Sequence, residues 1–284
     1  MQDPSPVAGA YDAPMIGLVR LVHPAPTLAV VTLSAALSAI LSMQAGGAAV
    51  SPGVVLVTLS VLGSQILTGA LNDWADRARD LAVQPGKPIP SGAAGPRAAL
   101  ILAAGGLALQ VATSAPLGPA PLLLGLGASV SGLAYNLWLS RRAASFLPYL
   151  VSFGLLPLWV AAGVGAPIER VAAAPLLVGP FAVAAHLANT VRDFDADATA
   201  GSRNLAQRIG RPAAFAAAWL IAMAVGVGAG AAFILTGSLD AIGLALGAVG
   251  LTAIAQGIAG PTRLWAGMLL AAVCWTATWA LATR

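Results

Sequence analysis

Charge is scarce in this sequence. Asp, Glu, Lys and Arg make up only 8% of its 284 residues, against about 25% in a soluble domain. Hydrophobic residues make up 58%, and a globule of this length keeps too much surface to hide so many. A water-soluble fold is excluded, so lipid must solvate most of the chain. Cysteine is nearly absent: Cys274 stands alone in an apolar run and can form no internal disulfide. Histidine is confined to His23 and His186, far apart in sequence, which gives no support to a metal site built from His and Cys alone. Ten-residue stretches of alternating hydrophobicity are also missing, so a membrane β-barrel is not indicated. The first thirteen residues hold Asp3 and Asp12 but no basic residue, and a cleaved signal peptide is not expected. The net charge of +4 invites a nucleic-acid reading. The basic residues are scattered over short loops and form no stripe or basic helix, so nucleic acid is excluded as a partner. No linker divides the chain, and residues 1–284 read as one transmembrane domain.

The long hydrophobic runs set the architecture. A spanning helix needs about 20 apolar residues. Residues 21–71 are free of charge and hold two spans, broken near 44–53. Residues 98–140 hold two more, broken near 114–121. Runs at 143–168, 171–191, 212–239, 241–262 and 264–283 hold one each. The expected fold is therefore an all-α membrane bundle of about nine transmembrane helices. The spans are rich in Ala, Leu, Val and Gly, which favours close helix packing through small residues. With the N-terminus inside, twelve basic residues fall on the cytoplasmic side: Arg20, Arg77, Arg79, Lys87, Arg97, Arg141, Arg142, Arg192, Arg203, Arg208, Arg211 and Arg263. Only Arg170 and Arg284 fall outside. That asymmetry sets the orientation and supports the span count. The expected location is the cell (inner) membrane, multi-pass, among membrane lipid. Trp74, Trp138 and Trp265 near inner ends read as interface anchors.

Six of the ten acidic residues sit in two short stretches on the cytoplasmic side. The first, 72–80, reads Asn-Asp-Trp-Ala-Asp-Arg-Ala-Arg-Asp. Asp73, Asp76 and Asp80 are three and four apart, so a helix continuing from span two puts them on one face, with Asn72 one turn before Asp76. Like charges at that spacing repel. A divalent cation offsets the repulsion, and oxygen-only ligands select Mg²⁺ or Ca²⁺ over softer metals. The second, 189–197, reads Asn-Thr-Val-Arg-Asp-Phe-Asp-Ala-Asp. Asn189, Asp193 and Asp197 repeat every four residues, while Asp195 points away. Solvated topology charges are the plain alternative, but acids contribute little to topology. Arg77, Arg79, Lys87, Arg192, Arg203 and Arg208 are candidate phosphate binders, although each alone also reads as a positive-inside residue. Lys87 is the best placed. Its Pro- and Gly-punctuated loop, 86–92, can fold back over a ligand.

These residues resemble the UbiA family of membrane prenyltransferases. The resemblance rests on Asn72, Asp73, Asp76 and Asp80 followed by Lys87-Pro88-Ile89-Pro90-Ser91-Gly92, and on Asp193, Asp197, Gly201 and Leu205. Residues 20–27 look like the family's segment before the first span, and Tyr135-Asn136 like its Tyr-containing segment. Asn204 departs from the family's usual Thr, and Asp195 is an added acid that leaves the register of the second motif ambiguous. The resemblance implies a bundle around a central cavity capped by the motif loops. It implies Mg²⁺ held by Asp73, Asp76, Asp80, Asp193 and Asp197, with Asn72 and Asn189 orienting carboxylates or phosphate. It further implies a polyprenyl diphosphate donor and a lipophilic or aromatic acceptor, a phenol or quinone precursor. Arg20, Arg77, Lys87, Arg192, Arg203, Tyr135 and Asn136 are the expected substrate contacts. A cyclase of the same superfamily, acting on the diphosphate without an acceptor, stays open. So does a cation transporter, although transport sites usually lie mid-membrane on broken helices and these acids lie at helix ends.

Overall fold

The structure is a computed structural model that describes residues 13–235 and 239–282. Arg284 and Asp3 and Asp12 lie outside the described residues, as do parts of the expected runs 212–239 and 264–283. The helices in chain order are α1 (Ala13–Leu21), α2 (Pro24–Gln44), α3 (Pro52–Val83), α4 (Pro96–Ser114), α5 (Pro119–Ala134), α6 (Leu147–Gly163), α7 (Pro175–Arg192), α8 (Phe194–Thr199), α9 (Leu205–Ile209), α10 (Arg211–Leu235), α11 (Ala241–Gln256) and α12 (Pro261–Ala282). No strand occurs among the described residues. Among the described residues, nine helical segments are long and apolar enough to cross a membrane, built on α2, α3, α4, α5, α6, α7, α10, α11 and α12. The chain is an integral, multi-pass membrane protein.

Proline sets most of the span starts. Pro24, Pro52, Pro96, Pro119, Pro175 and Pro261 each open a helix. There the missing N–H costs nothing and the fixed φ suits the first turn. Ser51 caps α3 by accepting from Val54 N–H (3.3 Å), and Asp240 caps α11 by accepting from Gly243 N–H (2.7 Å). Consecutive spans pack side by side, and α12 returns to touch α2 and α7. α3 and α4 cross at very short range. A Cβ added at Gly63 would lie 2.6 Å from Gln110 N, and one added at Gly106 2.6 Å from Leu67 N. Nothing larger than glycine fits where these backbones cross. Beside the crossing, Gln110 accepts from Ser129 Oγ (2.8 Å), which also bonds Ser64 Oγ (2.7 Å). These three buried polar side chains thus find partners in one another across α3, α4 and α5.

One helix outruns the membrane. α3 has 32 residues, about 48 Å at 1.5 Å per residue, against an apolar slab of about 30 Å. Its apolar part ends at Leu71, and the remaining turns carry Asn72 to Val83 beyond it. The loop after α3 folds back over these turns through Lys87 N–H to Gln84 C=O (3.0 Å) and Ala94 N–H to Pro88 C=O (2.9 Å). α1, which hydrophobic runs do not reveal, docks on that loop. Arg20 Nη2 donates to Gly86 C=O (2.8 Å), and Gly17 packs so closely on Ala93 C=O that an added Cβ would sit 2.1 Å from it.

Candidate active site

Asp73, Asp76 and Asp80 share one face of α3, as the spacing predicts, and all three are buried. Asp73 and Asp80 are 1% and 0% exposed. Carboxylates in such a place need partners, and the cap supplies them. Lys87 Nζ lies 3.1 Å from Asp73 Oδ1 and donates to Asp80 Oδ2 at 2.8 Å. Burial alone would lower the Lys87 pKa, but the hydrogen bond to Asp80 and the charges of Asp73 and Asp80 outweigh it and hold the pKa above 10.5. His23 Nε2 stands 3.1 Å from Asp73 Oδ1. Its backbone is left-handed (φ 53°), an uncommon state for a non-glycine residue. Asp73 Oδ2 is buried and has no hydrogen-bond partner among the described residues.

The second motif reaches the first through an arginine. Arg79 lies 3.4 Å from Asp76 Oδ2, 3.4 Å from Asp80 Oδ1 and 3.9 Å from Asp197 Oδ1. Arg141 Nη2, from the turn after α5, donates to Asp76 Oδ1 at 2.9 Å. Asn204 caps α9 by accepting from Gln207 N–H (3.0 Å), and its Nδ2 donates to Asp197 Oδ2 (2.9 Å). The position where the sequence departs from the family's Thr therefore holds a site carboxylate. Burial raises the Asp197 pKa; Arg79 and Asn204 oppose this, while the charges of Asp193 and Asp76 add to it.

The other candidates fall in several places. The helix breaks at Asp193 between α7 and α8, but Asp197 N–H still bonds Asp193 C=O (2.9 Å), so the four-residue register persists. Arg192 engages Asn189 Oδ1 (2.6 Å) and Asp193 Oδ1 (3.3 Å), and Asp193 contacts no residue of the first motif through an ion pair. Asp195 points away as its register requires: its side chain is 85% exposed and pairs with Arg211 (2.6 Å). Asn72 Nδ2 donates to Asn136 Oδ1 (3.2 Å), and Asn136 Nδ2 donates to Thr68 C=O (2.7 Å), which locks α3 to the end of α5. Tyr135 opens a wide π turn, Tyr135–Leu139, a feature frequent at functional sites. Its ring packs edge-on against Tyr149 (5.2 Å) and His186 (5.7 Å). Arg77 curls back to Trp74, donating to its C=O (2.6 Å) and stacking on its ring (4.4 Å). Arg20 is spent on the cap, and Arg203 turns toward a separate cavity.

Four carboxylates (Asp73, Asp76, Asp80 and Asp197) thus meet three permanent cations (Lys87, Arg79 and Arg141). Among the described residues no three acids or histidines close on one point as metal ligands; Arg79 and Lys87 stand between them. The donor set nevertheless fits a hard divalent cation. All its ligand atoms are carboxylate oxygens, the acids outnumber the permanent cations by one, and Asp73 Oδ2 is left for a partner. His23 and Arg141 are the contacts that sequence spacing does not single out, whereas Arg79 is among the candidate phosphate binders. His23 sits in the segment 20–27 already noted. Arg141 comes from a distant turn and had no signal beyond its charge.

The model of the UbiA prenyltransferase family matches residues 29–260. No curated protein matches the chain in sequence. Among solved structures, a UbiA homologue from Aeropyrum pernix K1 superposes with a TM-score of 0.71 at 20% identity, covering 89% of this chain and 96% of the other. A digeranylgeranylglyceryl phosphate synthase gives 0.70 at 14% identity, over 95% and 98%. A UbiA homologue from Archaeoglobus fulgidus, solved with GPP and Mg²⁺, gives 0.63 at 17% identity, over 94% and 100%. At these identities the likeness establishes a common fold.

Proposed function

Since the chain belongs to the UbiA prenyltransferase family, we propose that it moves a prenyl group from a polyprenyl diphosphate to an aromatic or quinone-precursor acceptor at the cytoplasmic face. The observation that carries this reading is Arg79, which ties Asp76 and Asp80 of the first motif to Asp197 of the second. Two acid clusters far apart in sequence share one place just beyond the apolar slab. A diphosphate with a long apolar tail needs such a place: cations for its head and helices for its chain.

Asp73, Asp76, Asp80 and Asp197, with Asp193 one turn from Asp197, are the residues to hold Mg²⁺. When bound, the metal neutralises charge developing on the leaving diphosphate. Lys87, Arg79 and Arg141 are placed to turn from carboxylate to phosphate oxygens, forming charge-assisted hydrogen bonds. The carbon–oxygen bond of the donor breaks and its electron pair leaves with the diphosphate. The allylic carbon then bonds to the acceptor, which gives up a proton. Tyr135, Tyr149 and His186 form an aromatic wall at the bundle ends of α5, α6 and α7, suited to keeping water from that carbon. Membrane lipid surrounds the tail.

The test is release of diphosphate and product from a labelled prenyl diphosphate in nanodiscs, with a panel of phenols and naphthoquinols. Turnover should stop in EDTA and return with Mg²⁺. Asp73→Asn should lower it by at least about 100-fold, equivalent to roughly 2.7 kcal/mol. Undiminished turnover in chelator rejects the reading. A cyclic hydrocarbon formed from donor alone replaces it with a cyclase.

A further inference from the structure

Arg141 also lines an open cavity of about 660 Å³. Its lining includes Arg141, Arg142, Arg203 and Arg208 together with Leu137 and Trp138, and no acidic residue. Arg141 is committed to Asp76. Arg142, Arg203 and Arg208 form no ion pair among the described residues, unlike Arg79, Arg192 and Arg211. Orientation in the membrane requires basic residues on these loops, but it does not require them to converge. Three unpaired guanidinium groups around one hollow repel one another and attract an anion.

The walls are tied together. Arg203 N–H donates to Arg141 C=O (2.9 Å), joining the loop before α9 to the turn after α5. Leu205 N–H reaches Ser145 Oγ (3.5 Å), which also bonds His186 Nε2 (3.0 Å). One edge is apolar and open: Trp138 and Leu137 are 60% and 39% exposed at the inner end of a span, where indoles sit at headgroup level. A free anion gains nothing from that edge. An amphiphile gains from both.

We propose that this cavity binds the phosphate headgroup of an anionic phospholipid, with its acyl chains leaving past Leu137 and Trp138. Guanidinium groups match phosphate oxygens in a bidentate geometry, and basic pockets between helices on the cytoplasmic side suit such headgroups. The inference is independent of prenyl transfer, so it stands or falls separately.

Native mass spectrometry of the purified full chain, given equal dioleoyl-phosphatidylglycerol and dioleoyl-phosphatidylcholine, tests it. The wild type should retain the glycerol lipid at least about fivefold over the choline lipid, the effect expected of one cation near a lipid surface. Arg142→Gln/Arg208→Gln should bring the ratio near one, with gel filtration in phosphatidylcholine unchanged. If the double variant does not purify, Arg142→Gln alone is read and should lower the ratio by about twofold to fivefold. Arg263→Gln, an exposed cytoplasmic arginine elsewhere, should leave it intact. Equal loss in Arg263→Gln means general surface charge and overturns the site. Displacement of the lipid by millimolar inorganic pyrophosphate assigns the cavity to a free phosphate and overturns the lipid.

Discussion

Lys87 is the residue on which the resting site turns. It bridges Asp73 and Asp80, two carboxylates with almost no contact with solvent. Lys87→Met strips them of that cation, and breaking a buried pair costs about 3–5 kcal/mol. The melting temperature in detergent should drop. Mg²⁺ should then raise it more than in the wild type, because the metal takes the vacated place; an equal rise in both proteins would contradict that exchange. The pKa of Lys87 lies above 10.5, so its contribution is fully present below that pH and disappears only as pH rises through the higher folded value. Melting should accordingly show no titration of this contact between pH 7 and 9. The second motif gives a sharper contrast. Asp197 faces Arg79 and Asn204, whereas Asp195 faces water and Arg211. Asp197→Asn should slow turnover by at least about 100-fold. Asp195→Asn loses only an exposed pair worth about 0–1 kcal/mol, so its rate should fall less than tenfold. Spacing alone separated Asp195 from Asp193 and Asp197, because a helical register is written in the sequence. That Arg192 would hold Asn189 and Asp193, or that His23 would turn left-handed to reach Asp73, depends on neighbours brought by folding.

Among elements, the crossing of α3 and α4 leaves no room for a larger side chain. Gly63→Val puts a branched side chain against the backbone of α4, where even a Cβ is too close. Overpacking of this kind costs about 1–3 kcal/mol when side chains can yield, and backbone yields less. The variant should elute broadly or aggregate on gel filtration, while Gly105→Ala, at a position open around its added Cβ, should behave as wild type. Symmetric elution of Gly63→Val would show that the helices slide apart at little cost. The spans were legible because charge-free length and proline at the first turn are local signals. The short α1, the π turn at Tyr135–Leu139 and the break between α7 and α8 were not. Each is fixed by packing on another element: α1 by the loop after α3, and the π turn by Asn136 reaching back to Asn72 and Thr68.

At the scale of the whole molecule, the distribution of basic residues is expected to orient the bundle with the motif loops inside. Ala196 and Ala49 lie at opposite ends of it, both exposed. In intact cells a membrane-impermeant maleimide should label Ala49→Cys and spare Ala196→Cys; the reverse pattern would end the proposed orientation. The nine-helix plan could be counted from the sequence because lipid imposes one length on every span. The meeting of the two acid motifs could not, since Arg79 of α3 reaches Asp197 of α8 only once the bundle has packed. The overhang of α3 ties these scales together. Asp80 stands nine residues past Leu71, about 13 Å along one continuous rod, so on the proposed function bilayer thickness would set how deep the chemistry sits. A thick bilayer draws the carboxylates toward hydrocarbon, and a thin one leaves the first turns of the tail site wet. The enzyme acts as a depth gauge, and its rate should peak at one acyl length across nanodiscs of increasing thickness.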